Sequence, residues 1–493
     1  MKILFAASEC VPFCKTGGLA DVIGALPKEL RKKRHDVRII LPKYKAIRAQ
    51  EFNLKETGEG VRVPIGSRIE TGDIRAAKTE KGVPVYFINH EGYFGRSGLY
   101  RSPEGDYPDN AERFIFFSRA VLEACKAMNF RPDIIHCHDW QTGLIPAYLK
   151  VLHSTDAFFQ HTATVFTIHN IAYQGVYPKD TMALTGFPWS EFTMDKLEFY
   201  DHISFLKAGL TYADKLTTVS PTYAKQIQNS PEFGRGMEGT LRARSKDLEG
   251  ILNGLDLEEW NPEHDPFLAK PFDAESREGR KDCKASLQQS LKFQKSPRTP
   301  LLGMVARVDQ QKGIDLLAQI VPSLMDEGVQ LVVLGQGDPA LVSRLEKFET
   351  QFPRSFRMRS DFNEPLAHHI YGGSDLFLMP SRFEPCGLGQ LIAMRYGAIP
   401  VVMNTGGLSD TVIPVGPNDA GTGFVFYEPT AESFHTAIRQ ALKFYADETA
   451  WGRLQSRAMQ THFSWEDSAQ RYVDAYRRAL GRGGPSKRSI RIS

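Results

Sequence analysis

Short, unbroken apolar runs alternate along this chain with longer stretches in which apolar residues return every three or four positions. In the first half the runs are Ile3 to Ala7, Val37 to Leu41, Val83 to Ile88, Asp133 to Cys137, Thr164 to Ile168 and Lys215 to Val219. In the second they are Leu301 to Val305, Leu331 to Leu334, Leu376 to Met379, Pro400 to Met403 and Gly423 to Phe426. Such runs predict strands buried on both faces, and the intervening 3.6-residue pattern predicts helices that cover them. Leu19, Val22, Ile23, Leu26 and Leu30 make one helix face, with a kink expected at Pro27. Another helix is expected around Asp282 to Leu291, and a closing amphipathic helix over Trp465 to Leu480 carries Tyr472, Val473, Tyr476 and Leu480 on one side. Gly58 to Thr79 alternates charged and β-branched residues and reads as a strand-rich insertion. Strands alternating with helices define an α/β chain of parallel sheets, in which ligands bind beyond the carboxyl ends of the strands.

At 493 residues the chain exceeds what one core serves, so length alone implies two or three domains; the two repeated halves meet at a hinge near Gly250 to Gly254, followed by a polar connector over Trp260 to Pro300. Sixty-one basic against 58 acidic side chains give a net charge of +3, which marks out no nucleic-acid surface. No apolar run approaches membrane-spanning length, and Met1 to Glu9 reads as a first strand rather than a signal sequence. Six scattered cysteines without a C-x-x-C pair fit reduced thiols and a cytoplasmic setting. His136-Cys137-His138-Asp139 gathers potential metal ligands, but successive side chains at a strand end point to opposite faces, so no metal is expected there.

Chemistry concentrates at the predicted strand ends. Thr-Gly-Gly-Leu-x-Asp occurs twice, as Thr16 to Asp21 and as Thr405 to Asp410, each after an apolar run. Both copies are expected to form tight strand-to-helix turns whose free amides and glycines, Gly17 and Gly18 in one and Gly406 in the other, admit an anionic or hydrogen-bonding ligand. Each could equally be no more than a helix start. Lys15 precedes the first copy and can reach a phosphate; taken alone it is also an ordinary surface lysine. Arg307 and Lys312 follow Leu301 to Val305 and suit a diphosphate, unless their loop is merely solvated. Glu384, in Ser381-Arg382-Phe383-Glu384-Pro385-Cys386-Gly387-Leu388, can accept hydrogen bonds from sugar hydroxyls while the Cys386 and Gly387 amides donate. Cys386 itself fits a side-chain role and small packing equally well. Trp140 after His138-Asp139, and Tyr173 after His169-Asn170, set aromatics beside polar groups, as carbohydrate sites do, although strand-end aromatics also pack on neighbours.

In this order the residues resemble the bacterial and plastidial glycogen/starch synthases of glycosyltransferase family 5. The resemblance runs through nearly the whole chain, and its most specific segments are Lys15 to Val22, Tyr107-Pro108-Asp109-Asn110, His138-Asp139-Trp140, His169-Asn170, Asn253-Gly254-Leu255-Asp256, Arg307 with Lys312, and Glu384 to Leu388. It implies a GT-B fold: two Rossmann-like, doubly wound domains facing a deep cleft, with a C-terminal helix crossing back to the first. Residues 1–250 with helix 466–482 would form the acceptor-side domain, 251–465 the donor-side domain, and 483–493 a disordered tail. The implied reaction moves glucose from ADP-glucose to the non-reducing end of an α-1,4-glucan such as glycogen with retention of configuration, without metal or other cofactor, nucleic acid or membrane. The donor groups would lie in one half and Lys15 and His169 in the other, so the site would be complete only with the cleft shut. By position Lys15, Gly17, Gly18, Arg307 and Lys312 would hold the diphosphate, with Asp21 beside Lys15. Glu384, Cys386 and Gly387 would take glucose hydroxyls and His169 the reacting sugar. Phe362 would stack on adenine, Asp139 and Asn253 would meet the glucose or acceptor, and Thr405 and Gly406 would form the second lip.

The chain departs from the family pattern in places. Phe362 stands where a tyrosine is usual, Gln141 where bacterial members often carry histidine, and Gly389 where a hydroxyl or amide side chain is commoner. Ile392 stands where the broader GT-B pattern often has a second glutamate; that absence fits the synthase family and leaves no ribose-binding carboxylate at this position. Three rivals differ in chemistry. A dinucleotide-linked dehydrogenase would need G-x-G-x-x-G, which the first turn lacks. A noncatalytic glucan-binding protein leaves the two cations unexplained. A GT-B phosphorylase would need a lysine context for pyridoxal that is not evident.

Overall fold

A computed structural model describes residues 1–361, 363–416 and 420–481, and the expected disordered tail lies outside them. The chain divides into two compact units. The first holds Met1–Val219, Ala224–Asn253 and the residues from Trp465 on; the second holds Ser220–Tyr223 and Gly254–Ser464.

The first unit is built on a nine-stranded sheet ordered Leu248–Gly250, Lys215–Thr218, Ala163–Ile168, Ile134–His138, Lys2–Ala6, Asp36–Pro42, Pro84–Asn89, Arg68–Lys78, Lys55–Ile65. Its first seven strands are parallel. The last two form the expected strand-rich insertion, an antiparallel hairpin added to the edge at Pro84–Asn89. From Lys2–Ala6 the chain winds one way through Asp36–Pro42 and then returns to wind the other way through Ile134–His138. The winding reverses between Lys2–Ala6 and Ile134–His138, and a crevice opens there at the carboxyl ends.

The second unit repeats this plan in a six-stranded parallel sheet ordered Phe356–Arg359, Gln330–Leu334, Leu301–Val305, Leu376–Met379, Ile399–Met403, Phe424–Phe426. Here the reversal falls between Leu301–Val305 and Leu376–Met379. A single apolar cluster of strand and helix residues, Leu302, Val332, Leu376 and Val401 among them, fills this unit's core.

Several features depart from expectation. The strand Phe356–Arg359 was not predicted, because Arg357 and Arg359 interrupt its apolar residues; Arg357 is nonetheless buried, its guanidinium 4.9 Å from the Phe293 ring centroid. The first TGGL copy is not a tight turn. Its strand ends at Ala6 and its helix, Gly18–Lys32, begins only after the loop Ala7–Gly17. That loop makes its own small turn, in which the Cys10 amide donates to the Cys14 carbonyl (3.1 Å) and the Cys14 amide to that of Cys10 (3.0 Å). The helix continues through Pro27, which is buried with Leu26 and Leu30.

The closing helix Trp465–Ala479 belongs to the first unit and packs on the helix Gly18–Lys32. Tyr472, Val473 and Tyr476 are buried. Ser468 Oγ donates to the Leu252 carbonyl (2.6 Å), Arg471 donates to that of Gly250 (2.7 Å), and the Tyr476 hydroxyl meets His136 Nδ1 at 2.9 Å. Removing the Tyr476 ring as Tyr476→Ala should destabilise this unit by about 3–5 kcal/mol, whereas Tyr476→Phe should cost about 1–3 kcal/mol through the unpaired His136 nitrogen. Denaturant unfolding followed with a first-unit probe checks the ranking, and equal losses would contradict it.

Candidate active site

In the first unit the polar side chains collect at the winding reversal. The loop after Lys2–Ala6 is organised by Glu9, which is buried. Its carboxylate accepts from the amides of Thr16 and Gly17 (3.2 Å for Gly17), from Thr16 Oγ1 (2.6 Å) and from the Tyr100 hydroxyl (2.6 Å). Amides expected to stand free for a ligand therefore already hold the protein's own carboxylate. Lys15 Nζ pairs with Asp21 at 2.6 Å, and burial raises the Asp21 carboxyl against the lowering pull of Lys15. Gly17 has extended backbone at φ −154°, and a Cβ built on it meets nothing within 4 Å, so neither strain nor packing demands glycine there.

Across the reversal, Ile134–His138 puts His136 and His138 on one face with rings 4.0 Å apart, while Cys137 alternates away. His138 Nδ1 lies 2.9 Å from His169 Nε2, at the end of the next strand. Burial pushes His169 down to about 3 and holds His136 and His138 well below the usual histidine range, so all three are neutral near pH 7. Asp139 has a left-handed backbone, φ 55°, and its carboxylate accepts from the amides of His169 (2.7 Å) and Asn170 (3.5 Å). Burial pushes the Asp139 carboxyl up to about 7, those amides pull it down, and the charge on Glu9 adds to the rise. Asn253, at the end of the unit, is buried, and its Oδ1 has no partner among the described residues. Trp140 is packed rather than presented: it is buried and set edge-on to Phe114 at 4.8 Å, while Tyr173 is half exposed.

In the second unit the reversal gathers the other cations and Glu384. Lys312 Nζ meets Glu384 Oε2 at 2.6 Å, and Ser381 Oγ donates to the same oxygen at 2.9 Å. Arg307, half exposed, lies 3.3 Å from Asp309 and 3.2 Å from Gln311 Oε1, and Gln311 in turn donates to the Phe383 carbonyl. Gly313 opens the helix Ile314–Asp326 in the left-handed region at φ 71°, and a Cβ there would lie 2.1 Å from the Pro380 carbonyl. Only glycine lets the loop bearing Lys312 lie this close to the strand end before Glu384.

The second TGGL copy is a tight turn, as expected, but its glycines pack against protein. Gly407 N donates to the Glu384 and Pro385 carbonyls (3.0 and 3.2 Å), and a Cβ on Gly407 would lie 2.1 Å from the Cys386 oxygen. Gly406 has φ 45°, and its Cβ would lie 1.9 Å from the Glu384 oxygen. Thr405 is buried at the helix start. Asp410 accepts from Thr222 N and Oγ1 at 2.8 and 2.7 Å, unlike Asp21, which holds Lys15. Cys386 is buried and Gly387 is left-handed at φ 76°.

The structure thus brings together Lys312, Glu384, Cys386, Gly387, Thr405 and Gly406 in one unit, and Lys15, Gly17, Gly18, Asp21, Asp139 and His169 in the other. Phe362 lies outside the described residues. Sequence reasoning passed over Glu9, Tyr100 and Gln390, and it named His138 within a segment without giving it a role in the site. Gln390 is fully buried and donates to the Cys386 and Gly387 carbonyls and to Thr411 Oγ1. Glu9 carried one usable signal, a lone carboxylate between a buried strand and a Gly-rich turn; Tyr100 joins it from far along the chain, and local spacing gives no sign of that. No group of three or more His, Cys, Asp or Glu among the described residues could hold a metal ion, and no helix among them is long and apolar enough to cross a membrane.

Comparisons with known proteins fit this geometry. A family model described as the starch synthase catalytic domain matches residues 2–243, and one described as glycosyl transferases group 1 matches 288–453. A sucrose-phosphate synthase structure from Thermosynechococcus elongatus superposes with TM-score 0.62 at 18% identity, over 98% of this chain and all of that one, a likeness of fold. The catalytic domain of starch synthase IV from Arabidopsis thaliana, bound to ADP and acarbose, superposes with TM-score 0.91 at 35% identity over 98% of this chain and 99% of its own. Glycogen synthase of Syntrophotalea carbinolica is 48% identical over 97% of this chain and 99% of its own length, and glycogen synthase 2 of Geobacter sulfurreducens 46% over 97% and 99%. Two Rossmann-like units with polar clusters at their winding reversals define a glycosyltransferase of the GT-B fold. Within that class, the chain belongs to the glycogen/starch synthase family.

The two glycine pairs should respond differently to substitution. Gly407→Ala forces a Cβ into backbone and should lower thermal stability by roughly 1–3 kcal/mol or more, whereas Gly17→Ala should melt as the wild type and change only substrate kinetics. A destabilised Gly17→Ala protein would contradict the distinction. Asp139 predicts a pH effect. Because its carboxyl is raised to about 7, protonation on going below that pH weakens the acceptor that holds the His169 amide, so kcat should fall with pH through about 7. Asp139→Asn should flatten that limb; an unchanged profile in the variant would assign it elsewhere.

Proposed function

We propose that the chain transfers glucose from ADP-glucose to the 4-hydroxyl at the non-reducing end of an α-1,4-glucan such as glycogen, with retention of configuration and without a metal or other cofactor. The observation that carries the reading is the Lys312–Glu384 pair at 2.6 Å, with Arg307 on the same loop as Lys312, at the winding reversal of the second unit. A cation and a carboxylate held together there suit the two ends of a sugar diphosphate. Lys312 and Arg307 neutralise charge developing on the departing diphosphate, and Glu384, steadied by Ser381, accepts from glucose hydroxyls. Gly387 and Cys386 supply amides on the same loop. The ADP bound in the Arabidopsis starch synthase IV structure supports the adenine nucleotide as donor.

In the first unit Lys15, tethered to Asp21, serves as a further phosphate cation beside the Gly17–Gly18 helix start, and His169 contacts the reacting sugar. Asp139 holds the His169 backbone, and Asn253 offers an amide to glucose or acceptor. Glu384 is paired with a lysine, and Asp139 is committed to two amides. Neither is disposed as the unpaired nucleophile of a double-displacement route. Retention then proceeds by same-face attack, in which the C1–O bond to the diphosphate breaks as the acceptor O4 bonds to C1 and a phosphate oxygen takes the O4 proton. All six cysteines are buried and no disulfide joins them, which supports a cytoplasmic setting.

Glucose incorporation into glycogen, measured in chelator with ADP-glucose and with UDP-glucose, tests the assignment. A higher kcat/KM for ADP-glucose and an α-linked product are expected; a preference for UDP-glucose, or a metal requirement, overturns the corresponding part. Arg307→Ala and Lys312→Ala should each lower kcat by roughly 10²–10³-fold. Values within a few-fold of wild type, or a glucosyl adduct trapped on a side chain, would contradict the mechanism.

A further inference from the structure

We infer that His138 fixes the tautomer of His169, keeping that ring's proton on Nδ1 so that it presents an N–H donor to a sugar oxygen. The inference rests on the reading of His169 as a sugar-contacting residue and says how that ring is prepared.

His138 Nδ1 and His169 Nε2 are 2.9 Å apart and both rings are buried. Burial keeps both imidazoles neutral near pH 7. Two neutral rings in such contact share one proton: two would collide and none would set lone pair against lone pair. Either His138 donates from Nδ1, leaving the His169 proton on its own Nδ1, or His169 donates from Nε2. The far side of His138 separates these cases. Its Nε2 is buried with no partner among the described residues, and its ring lies against Phe5, stacked at 5.5 Å and 15°, and against His136 at 4.0 Å. If His169 donated, His138 would carry its proton on Nε2, a buried N–H without an acceptor. If His138 donates, that atom keeps only a lone pair. Orphaned buried N–H groups are the rarer of the two defects in folded proteins, so His138 is the donor.

His169 Nε2 is then occupied as an acceptor, and Nδ1 carries the proton. His136 cannot take over this task, because its Nε2 meets Thr167 Oγ1 at 2.6 Å and its Nδ1 meets the Tyr476 hydroxyl at 2.9 Å. Asp139 restrains the His169 backbone and His138 its ring, so the imidazole is held at both ends. His138 is therefore a positioning residue, acting on the sugar through His169.

The test uses full-length protein labelled with ¹⁵N-histidine, the His169 signals being assigned by their loss in His169→Gln. Expected is a pyridine-like Nε2 and a pyrrole-like Nδ1 for His169 in the wild type and in His138→Asn, whose amide can still donate. His138→Leu should lower kcat by about 10–100-fold with donor KM little changed, and His138→Asn should restore most of it. A pyrrole-like Nε2 in the wild type overturns the tautomer assignment, and a fully active His138→Leu overturns the positioning role. If His138→Leu fails to fold, the wild-type spectrum and the His138→Asn kinetics decide. A fully active His169→Ala would instead sink the sugar-contact reading itself, while the spectrum still decides the tautomer on its own.

Discussion

A parallel sheet wound outward in both directions from its first strand has one place where neighbouring connections part, and everything functional in each unit follows from that constraint. In the first unit it lies between Lys2–Ala6 and Ile134–His138, and in the second between Leu301–Val305 and Leu376–Met379. Connections leaving the carboxyl ends there run to opposite faces of the sheet, which leaves the strand-end loops to carry polar side chains. Glu9, Lys15 and the three histidines owe their place to the first reversal, and Arg307, Lys312 and Glu384 to the second. The apolar strands make the sheets, the sheets fix the reversals, and the reversals choose which loops can carry polar side chains without burying them unpaired.

That frame explains why two nearly identical hexapeptides behave differently. The first TGGL copy follows strand one of its sheet, and the second follows the strand beyond Leu376–Met379, so the two are not equivalent positions of a repeated domain. At the first position the loop is long, the Gly17 Cβ direction is open and the amides are bound by Glu9. At the second, Gly406 and Gly407 are pressed on the backbone of Glu384 to Cys386 and hold that loop in place. The same letters serve access in one setting and close packing in the other, and the neighbouring strand decides which.

Much of the fold was legible because continuous apolar strands and 3.6-residue helices leave strong local patterns. Leu301–Val305 and Leu376–Met379 fall where the apolar runs place them. The strand Phe356–Arg359 was hidden because its arginines look solvent-bound, although Arg357 lies buried over Phe293. The candidate site was legible where a single loop carries its own chemistry, as with Arg307 and Lys312 after one strand and Glu384 after another, but not the meeting of those two loops. It was illegible where the partner comes from far along the chain: Tyr100 on Glu9, and His138 on His169, are products of strand order that no spacing in the sequence encodes. Tautomers and occupied amides belong to that second kind of information.

If the Lys312–Glu384 pair at the second reversal is a preformed diphosphate-sugar site, a crystal structure with bound ADP will show the diphosphate within hydrogen-bond reach of Arg307 and Lys312. Lys312 Nζ will then be drawn from the 2.6 Å contact it now makes with Glu384 toward a phosphate oxygen. A diphosphate bound elsewhere, with that ion pair intact, would contradict it.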